Sequence, residues 1–268
     1  MKKLKFSKAN TKLKKLYKIA ELQQYLVGYR TKIYSMDKPA GWSCKFAKDC
    51  LSMAVLKDNK TSIKDGKDGK FRCYAASQEA QYRNVYELRK HNFSLIKNKT
   101  EEQITRRLEH SLPADAGIVR GDSSGDIYSQ AEFNAWINLA QNHSDVLIYF
   151  YTKALRYWVS WVKEHGKLPD NIVFTASRGG TEDYLIDEHG LRESVVVYSE
   201  QQAVDLGLEI DNDDSHAARP SLSEQSFALL IHGTQPKGSE AAVALQMLKQ
   251  PTLVWELSDA GSLITKEV

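Results

Sequence analysis

The chain has 268 residues, a formal net charge of +3 and a hydrophobic content of 42%, with 26% charged residues. This length suits one large domain or two small ones, and the composition excludes a disordered or fibrous chain. No apolar run approaches the roughly 20 residues of a membrane-spanning helix, and the basic start lacks the apolar core of a signal peptide. We therefore expect a cytoplasmic protein without a membrane partner.

The positive charge is concentrated at the N-terminus. Residues 1–20 hold eight lysines and no acidic residue, which leaves 29 basic against 34 acidic residues elsewhere. Such an arm could bind nucleic acid, whereas a solvated and partly frayed N-terminus explains the same lysines without any partner. We divide the chain into a basic N-terminal arm and helix at 1–30 and a single α/β domain at 31–268.

The first part of the chain leads into a cysteine-bearing segment at 42–75. Apolar spacing predicts a helix over 13–27, and alternation predicts a short strand over 32–36. The polar insert KDNKTSIKDGKDGK, which lies between Cys50 and Cys73, predicts an exposed loop. One helix is expected over 77–97, and Thr100 with Gln103 predicts a capping box for the next.

From Gly117 onward the chain alternates strands and helices about five times. We predict strands at 118–120, 145–151, 171–176, 194–198 and 227–231, with helices after them at 129–140, 155–165, 199–207 and up to 248. The strands are apolar nearly throughout, which is typical of a parallel sheet covered by helices on both faces. The sequence therefore predicts an α/β fold, either an open doubly wound sheet or a partial (β/α) barrel, preceded by the cysteine loop.

Polar residues recur at the carboxyl ends of these strands, where ligands bind in such folds. Helix capping or turn formation explains any one of them, but the recurrence after every strand indicates a ligand site. The candidate cofactor-binding residues are Asp122, Ser124, Asp126, Lys153, Ser177, Arg178, His232 and Gln235.

All three cysteines of the chain, Cys44, Cys50 and Cys73, lie in the segment before the sheet. Three cysteines cannot all pair, and a cytosolic chain of this size does not need disulfides. They stand among charged residues rather than in apolar strands, so metal ligation is favoured over three buried small hydrophobes. Three thiolates suit a [4Fe–4S] cluster with one open iron, although the usual cluster has four cysteine ligands.

A structural zinc ion is the alternative metal, and it requires a fourth ligand because no CxxC pair is present. His91, His216 and His232 are the candidates for that ligand, and equally for a fourth ligand of a cluster.

The sequence resembles the gene product 88-like family of phage- and plasmid-borne proteins over most of the chain, from about residue 32 to 248. The resemblance is carried by PAGWSCKFAKDCLS, FRCYAASQEAQY, SGDIYSQAEFNAW, YFYTKAL, VFTASRGG, IDEHGL, LEIDNDDSHA and ALLIHGTQPKGSEAA. It implies a viral origin, and hence a place in the host cytoplasm, rather than a particular activity.

A weaker resemblance is to radical S-adenosylmethionine enzymes, which hold a [4Fe–4S] cluster on a cysteine loop before a partial (β/α) barrel. The order of segments is similar here, and Cys73-Tyr74-Ala75 is similar to the last cysteine of some phage members. The spacings of 5 and 22 residues depart from the family's tight Cx3Cx2C motif, and no clear Gly-Gly-Glu follows the first barrel strand. The resemblance implies the cluster, the fold and, more remotely, S-adenosylmethionine as a cofactor.

These observations leave three functional hypotheses, and the sequence does not establish that the protein is an enzyme. The first is an iron–sulfur protein with redox or radical chemistry on a small molecule or with a redox partner. The second is a metal-dependent phage nuclease or nucleic-acid-processing protein, in which Asp122 and Asp126 bind Mg²⁺. The third is a non-enzymatic binding module in which a zinc ion fixes the N-terminal segment to the sheet. A serine nucleophile is not indicated, because no GxSxG elbow occurs.

Overall fold

The computed structural model describes residues 1–58 and 60–249 and the backbone of two further strands. The strands are β1 (Phe6–Lys8), β2 (Lys32–Met36), β3 (Ser52–Lys57), β4 (Lys60–Asp65), β5 (Ala116–Gly121), β6 (Leu147–Thr152), β7 (Ile172–Ser177), β8 (Glu193–Val197), β9 (Phe227–Leu230), β10 (Leu253–Leu257) and β11 (Leu263–Glu267). The α-helices are α1 (Tyr74–Gln81), α2 (Arg83–Ile96), α3 (Glu101–Ser111), α4 (Gln130–Asn142), α5 (Leu155–His165), α6 (Tyr184–His189), α7 (Glu200–Asp205), α8 (Ser215–Ala218) and α9 (Glu240–Met247).

A seven-stranded sheet in the order β1-β2-β5-β6-β7-β8-β9 forms the centre of the protein. β1 runs antiparallel to β2, and every other neighbouring pair is parallel. The predicted α/β class with a mostly parallel sheet is therefore confirmed. From β2 onward the strands follow one another in chain order without the reversal of a doubly wound sheet, so their carboxyl ends all lie along one edge. β3 with β4 and β10 with β11 form separate antiparallel ribbons.

One face of the sheet packs against α3, α4, α5 and α6 in the largest apolar core. Phe174 of β7 lies at its centre, with ring centroids 4.8 Å from Phe133, 5.2 Å from Phe150 and 5.6 Å from Trp158. These strands alternate in side-chain direction, so every second residue enters this core. The predicted helix at 155–165 is confirmed as α5, and the predicted strands appear with their ends shifted by at most two residues.

The opposite face is covered by the N-terminal segment and α8. The helix predicted over 13–27 is wrong in type, because the segment forms two 3-10 helices, Leu13–Lys18 and Ala20–Tyr25. Leu13, Leu16 and Leu22 are fully buried, and with Ile19 they recur every third residue. That spacing matches the three residues per turn of a 3-10 helix, which places them on one side. The N-terminus is thus packed on the sheet and is not a frayed arm.

The insert between Cys50 and Cys73 is not the loop that we predicted. It forms the β3–β4 ribbon, paired from Ser52 with Asp65 to Lys57 with Lys60. Ile63 packs against the buried alanines of the cysteine segment, which gives the ribbon an inner face that its charged residues conceal in the sequence. After the ribbon the chain passes beside Asp49. The carbonyl oxygen of Asp49 accepts hydrogen bonds from the amides of Lys70 and Phe71 at 2.7 and 3.1 Å.

Two further differences concern helices. The single helix expected over 77–97 is two helices, α1 and α2, separated by the extended residue Tyr82. The break lets Arg89 of α2 fold back and bind Glu79 of α1 at 2.9 Å. α6 was not predicted at all. The capping box at Thr100 is confirmed with both of its hydrogen bonds.

Candidate metal and ligand site

The loop after β2 brings Cys44 to the carboxyl edge of the sheet. Its first turn is tight, because the Cys44 amide donates to the carbonyl oxygen of Gly41 at 3.3 Å. The Ser43 hydroxyl donates to the carbonyl oxygen of Pro39 at 2.8 Å and accepts from the Asp126 amide at 3.3 Å. The Cys44 turn is therefore bonded directly to the loop that follows β5.

Two glycines allow the cysteine loop to approach neighbouring loops closely. Gly125 has a φ of +88°, and a Cβ there would lie 2.6 Å from the Ser43 hydroxyl. Gly179 has a φ of +100°, and its carbonyl oxygen accepts from the amides of Lys48 and Asp49 at 3.2 and 2.9 Å. A side chain at either position would strain the backbone and displace the cysteine loop.

Cys73 reaches the same place from another direction. It directly precedes α1 and is the N-cap residue of that helix, whose Ala76 amide donates to the Cys73 carbonyl oxygen at 3.2 Å. Its own amide donates to the Ser52 hydroxyl at 3.2 Å, at the base of the ribbon. A helix N-terminus favours a thiolate, which is the form that ligates a metal.

The three cysteines line one cavity of about 310 Å³ at the carboxyl edge of the sheet. Burial raises the pKa of Cys73 to about 12, with a further contribution from the charge of Cys50. Burial also raises the pKa of Cys44 well above its ordinary value, and the charges of Asp126, Cys73 and Cys50 add to the effect. Burial and the mutual charge of the thiols thus oppose the thiolate form of Cys44 and Cys73, which a bound cation would favour.

The side chains of the described residues do not form a ready-made metal site. Within residues 1–58 and 60–249, no three His, Cys, Asp or Glu side chains form a group that could hold a metal ion. A zinc site needs its ligand atoms within about 2.0–2.3 Å of one point. A cluster has a different requirement, since each cysteine binds a separate iron and the sulfur atoms surround the cluster.

The cavity also contains most of the predicted strand-end residues. The structure places Asp122, Ser124, Asp126, Lys153, Ser177 and His232 in its lining, together with the cysteines. These side chains come from four different strand ends, which meet because the strands are parallel and sequential.

The other two predicted residues serve the framework and do not line this cavity. Arg178 binds Glu193 and Asp187, the latter at 2.7 Å, and faces the outer side of the sheet edge. Gln235 accepts from the Arg72 amide at 2.8 Å and donates to its carbonyl oxygen at 3.1 Å, which ties the loop after β9 to the residue before Cys73.

Of the three histidines considered as ligands, His232 lines the cavity. Its ring packs on Tyr74 with centroids 5.2 Å apart, and burial lowers its pKa, which keeps the ring neutral. His91 instead bonds the carbonyl oxygen of Lys3, and His216 bonds Glu209.

Both carboxylate oxygens of Asp126 accept hydrogen bonds from neighbouring residues of the site. Its Oδ1 accepts from the Thr152 hydroxyl at 2.6 Å and from the Ile127 amide at 2.8 Å, while Oδ2 accepts from the Lys153 amide at 3.0 Å. Burial raises the pKa of Asp126, and these hydrogen bonds to the charged form oppose that effect. The carboxylate therefore positions the ends of β5 and β6 relative to each other.

A buried triad that the sequence analysis missed lies behind the cavity wall. The Lys38 ammonium binds Asp122 at 2.8 Å and also Glu132, and all three side chains are fully buried. Burial opposes the charge on Lys38, but the two carboxylates raise its pKa above the ordinary value. Burial raises the pKa of Asp122 well above its ordinary value; the charge of Lys38 opposes this effect, and the charge of Glu132 adds to it.

Asp122 is unusual in two further respects. Its φ of +50° lies in the left-handed region, which is costly for a residue other than glycine. Its Oδ1 atom is buried and has no hydrogen-bond partner in the described part of the chain. Strain and an unsatisfied oxygen at a cavity wall are typical of residues that serve a ligand site.

A second missed cluster surrounds Asp214 at the other end of the cavity. This buried carboxylate binds Arg120 at 2.5 Å and Lys12 at 2.7 Å, and it accepts a hydrogen bond from the Tyr149 hydroxyl at 3.1 Å. Burial alone would raise the pKa of Asp214, but the two cations lower it below the ordinary value. Lys12 thus joins the N-terminal segment to the cavity.

Signals for both clusters were present in the sequence. Lys38 lies two residues after the end of β2, so the rule about strand ends applies to it as it does to Asp122. Arg120 interrupts an otherwise apolar strand, which is uncommon unless the charge has a buried partner.

Among the described residues, no helix combines the length and the apolar character required to cross a membrane. No curated protein and no solved structure matches the chain. The family described as Gene product 88 matches residues 4–248, which agrees with the first resemblance seen in the sequence and lends nothing to the resemblance to radical enzymes. The chain belongs to the gene product 88 family.

Proposed function

We propose that Cys44, Cys50 and Cys73 hold a [4Fe–4S] cluster and that the protein performs redox chemistry on a small molecule bound beside it. The observation that carries this proposal is the meeting of all three cysteines of the chain in one cavity. Cys44 and Cys50 lie in the loop between β2 and β3, and Cys73 directly precedes α1, so it is the fold that brings Cys73 to the other two cysteines.

The number of thiols favours a cluster over a zinc ion. A zinc ion requires a fourth ligand beside the three thiols, whereas three thiolates suit a [4Fe–4S] cluster with one open iron. Three cysteines would leave one iron without a thiolate, and His232 lines the same cavity as the thiols. When bound, such a cluster supplies one-electron transfer.

The rest of the cavity supports a polar small molecule as the second occupant. The Oδ1 atom of Asp122 and the Nε atom of Arg120 are both buried. Neither has a hydrogen-bond partner among the residues that the structure describes. S-adenosylmethionine is the candidate implied by the resemblance to radical enzymes, and the sequential order of the strands is that of a partial barrel. The departures in cysteine spacing weigh against that identification.

The hypothesis of a magnesium-dependent nuclease receives less support from the geometry. Asp126 uses both oxygens in bonds to its neighbours, and Asp122 is bound to the ammonium of Lys38. A divalent ion would have to displace these partners before it could bind both carboxylates.

The test is purification without oxygen, followed by the visible absorption spectrum and by assays of iron, zinc and sulfide. We expect a broad band near roughly 400 nm and about four iron and four sulfide per chain. Cys44→Ser, Cys50→Ser and Cys73→Ser should each lose most of this absorption. Ser177→Ala, which alters the same cavity without removing a thiol, is the matched control and should retain it.

Two outcomes would contradict the proposal. One zinc per chain in colourless protein would leave a structural or hydrolytic site. Protein that binds no metal after reconstitution with iron and sulfide would mean that the thiols are simply buried side chains.

A further inference from the structure

The N-terminal segment forms a fixed basic surface. Within residues 1–20, seven of the eight lysines are exposed and none of these seven forms an ion pair with any residue that the structure describes. The eighth, Lys12, binds the buried Asp214. The exposed lysines are Lys2, Lys3, Lys5, Lys8, Lys14, Lys15 and Lys18, which we call the lysine surface.

The lysine surface is held in place by the fold. β1 pairs with β2, and Leu4, Leu13 and Leu16 are buried beneath the segment. The Lys5 amide donates to Asn92 at 2.8 Å, which fastens the segment to α2. A partner would therefore meet a preformed array of charges and would not have to order a flexible tail.

Two parts of the segment meet other regions of the protein. Met1 lies in a shallow hollow with Lys99, Arg106 and Arg107 of the α3 region. Glu102 neutralises Arg106 there, with 3.2 Å between the charged groups. Asn10 and Lys12 line the cysteine cavity. The segment thus contributes to the surface near α3 and also to the cavity.

Protection of an exposed sheet edge explains only part of this array. Lysines are common on edge strands because they discourage pairing with other chains. β1 has only three residues, however, and contains one lysine, Lys8. Lys14, Lys15 and Lys18 lie on and beside a 3-10 helix, where there is no edge to protect.

We propose that the lysine surface binds the phosphate backbone of nucleic acid, passing it across the opening of the cysteine cavity. Seven exposed lysines in a segment without acidic residues complement the charge of a phosphate backbone, and their binding gains from the release of counterions. An anionic membrane is disfavoured because the leucines of the segment are buried and cannot insert into lipid. A protein partner is disfavoured because lysine is depleted at such interfaces. This proposal does not depend on the cluster.

The experiment measures binding of the full-length protein to a fluorescent 24-nucleotide DNA, single-stranded and as a duplex, and to RNA of the same sequence. We expect micromolar affinity at low salt that weakens steeply as salt rises. The variant Lys5→Gln, Lys8→Gln, Lys14→Gln and Lys15→Gln should lose at least about tenfold in affinity. Its salt slope should fall by about 3, because each phosphate contact contributes roughly 0.7–0.9.

The matched control removes four exposed lysines from the β3–β4 ribbon and its base: Lys57→Gln, Lys60→Gln, Lys64→Gln and Lys67→Gln. It has the same net charge as the first variant and should bind nucleic acid almost as well as the unchanged protein. Equal weakening in both variants would show that net charge alone drives binding and would overturn the proposal. Absence of binding at low salt would overturn it too, as would binding of phosphatidylserine vesicles in place of nucleic acid.

Discussion

The two faces of the central sheet are made by the same strands but have opposite chemistry. In β6, Phe150 enters an aromatic cluster with Phe174, at a centroid distance of 5.2 Å. Its neighbours Tyr149 and Tyr151 point to the other face, where their hydroxyls donate to Asp214 at 3.1 and 3.4 Å. One face is an apolar core, and the other carries buried charge toward the cavity.

This difference indicates how the fold divides its tasks. Burial of aromatic and aliphatic surface stabilises the protein by roughly 25 cal/mol per Å². Buried ion pairs contribute little net stability, because the cost of removing charges from water offsets their attraction. We infer that the apolar face supplies the stability that allows the opposite face to hold charged groups at a ligand site.

The strongest disruption of the apolar face should come from Phe174→Ala. Phe174 is 2% exposed and contacts three other aromatic rings, so its removal leaves a cavity that the sheet cannot close. We expect the free energy of unfolding to fall by about 3–5 kcal/mol. Urea denaturation followed by circular dichroism measures this, and a loss below 1 kcal/mol would contradict the assignment of this face as the main core.

On the polar face, Asp214→Asn should cost somewhat less, about 2–3 kcal/mol. The change leaves Arg120 buried without a countercharge, which is the damaging part of breaking a buried pair. Lys12 is partly exposed and can turn to water, which reduces the loss. Asp145→Asn is the control, because that carboxylate pairs with Arg30 but is half exposed and should cost less than about 1 kcal/mol.

The pH dependence of the same variant tests the cause of the loss. Arg120 and Lys12 hold the pKa of Asp214 below its ordinary value of 3.8, despite burial. Its contribution to stability is therefore complete above that value and disappears as pH falls through the lower pKa of the folded state. We expect the difference in the free energy of unfolding between the unchanged protein and Asp214→Asn to be the same at pH 7 and pH 5 and smaller at pH 3. If this difference stayed the same in more acidic solution, the loss would come from packing and not from charge.

We expect the smallest loss of stability for Tyr149→Phe, which removes one hydroxyl group from the polar face of the sheet. The ring and its packing remain, and only the hydrogen bond to Asp214 is lost. We expect a loss of about 1 kcal/mol in urea denaturation. A gain in stability would show that Asp214 is already satisfied by its two cations and does not need the hydroxyl.

The same contrast explains which parts of the molecule were predictable. Apolar runs such as those of β6 and β7 report burial directly, so the strands and the α/β class followed from the sequence. The strand-end rule then found six cavity residues, including Asp122 and His232. It failed for Lys38, because the first strand was not recognised as part of the sheet.

The pairs of charges could not be predicted for a different reason. Lys12 and Asp214 are about 200 residues apart, and Arg120 meets them only when β5 takes its place in the sheet. Each is an ordinary polar residue in its local sequence. The ribbon was not predicted because its few inward-facing residues are separated by lysines and aspartates. The alternation of inward and outward side chains can be recognised only once the surface that the ribbon covers is known.

The β3–β4 ribbon also determines how the chain can vary in length between Cys50 and Cys73. Its two strands are joined at the base, where the Gly66 amide donates to the carbonyl oxygen of Leu51 at 2.6 Å, and the chain then returns directly toward Cys73. Residues can be added or removed at the far tip without moving either thiol. The length of the ribbon is thus independent of the positions of Cys50 and Cys73, and we expect the cysteine cavity to tolerate insertions at the tip.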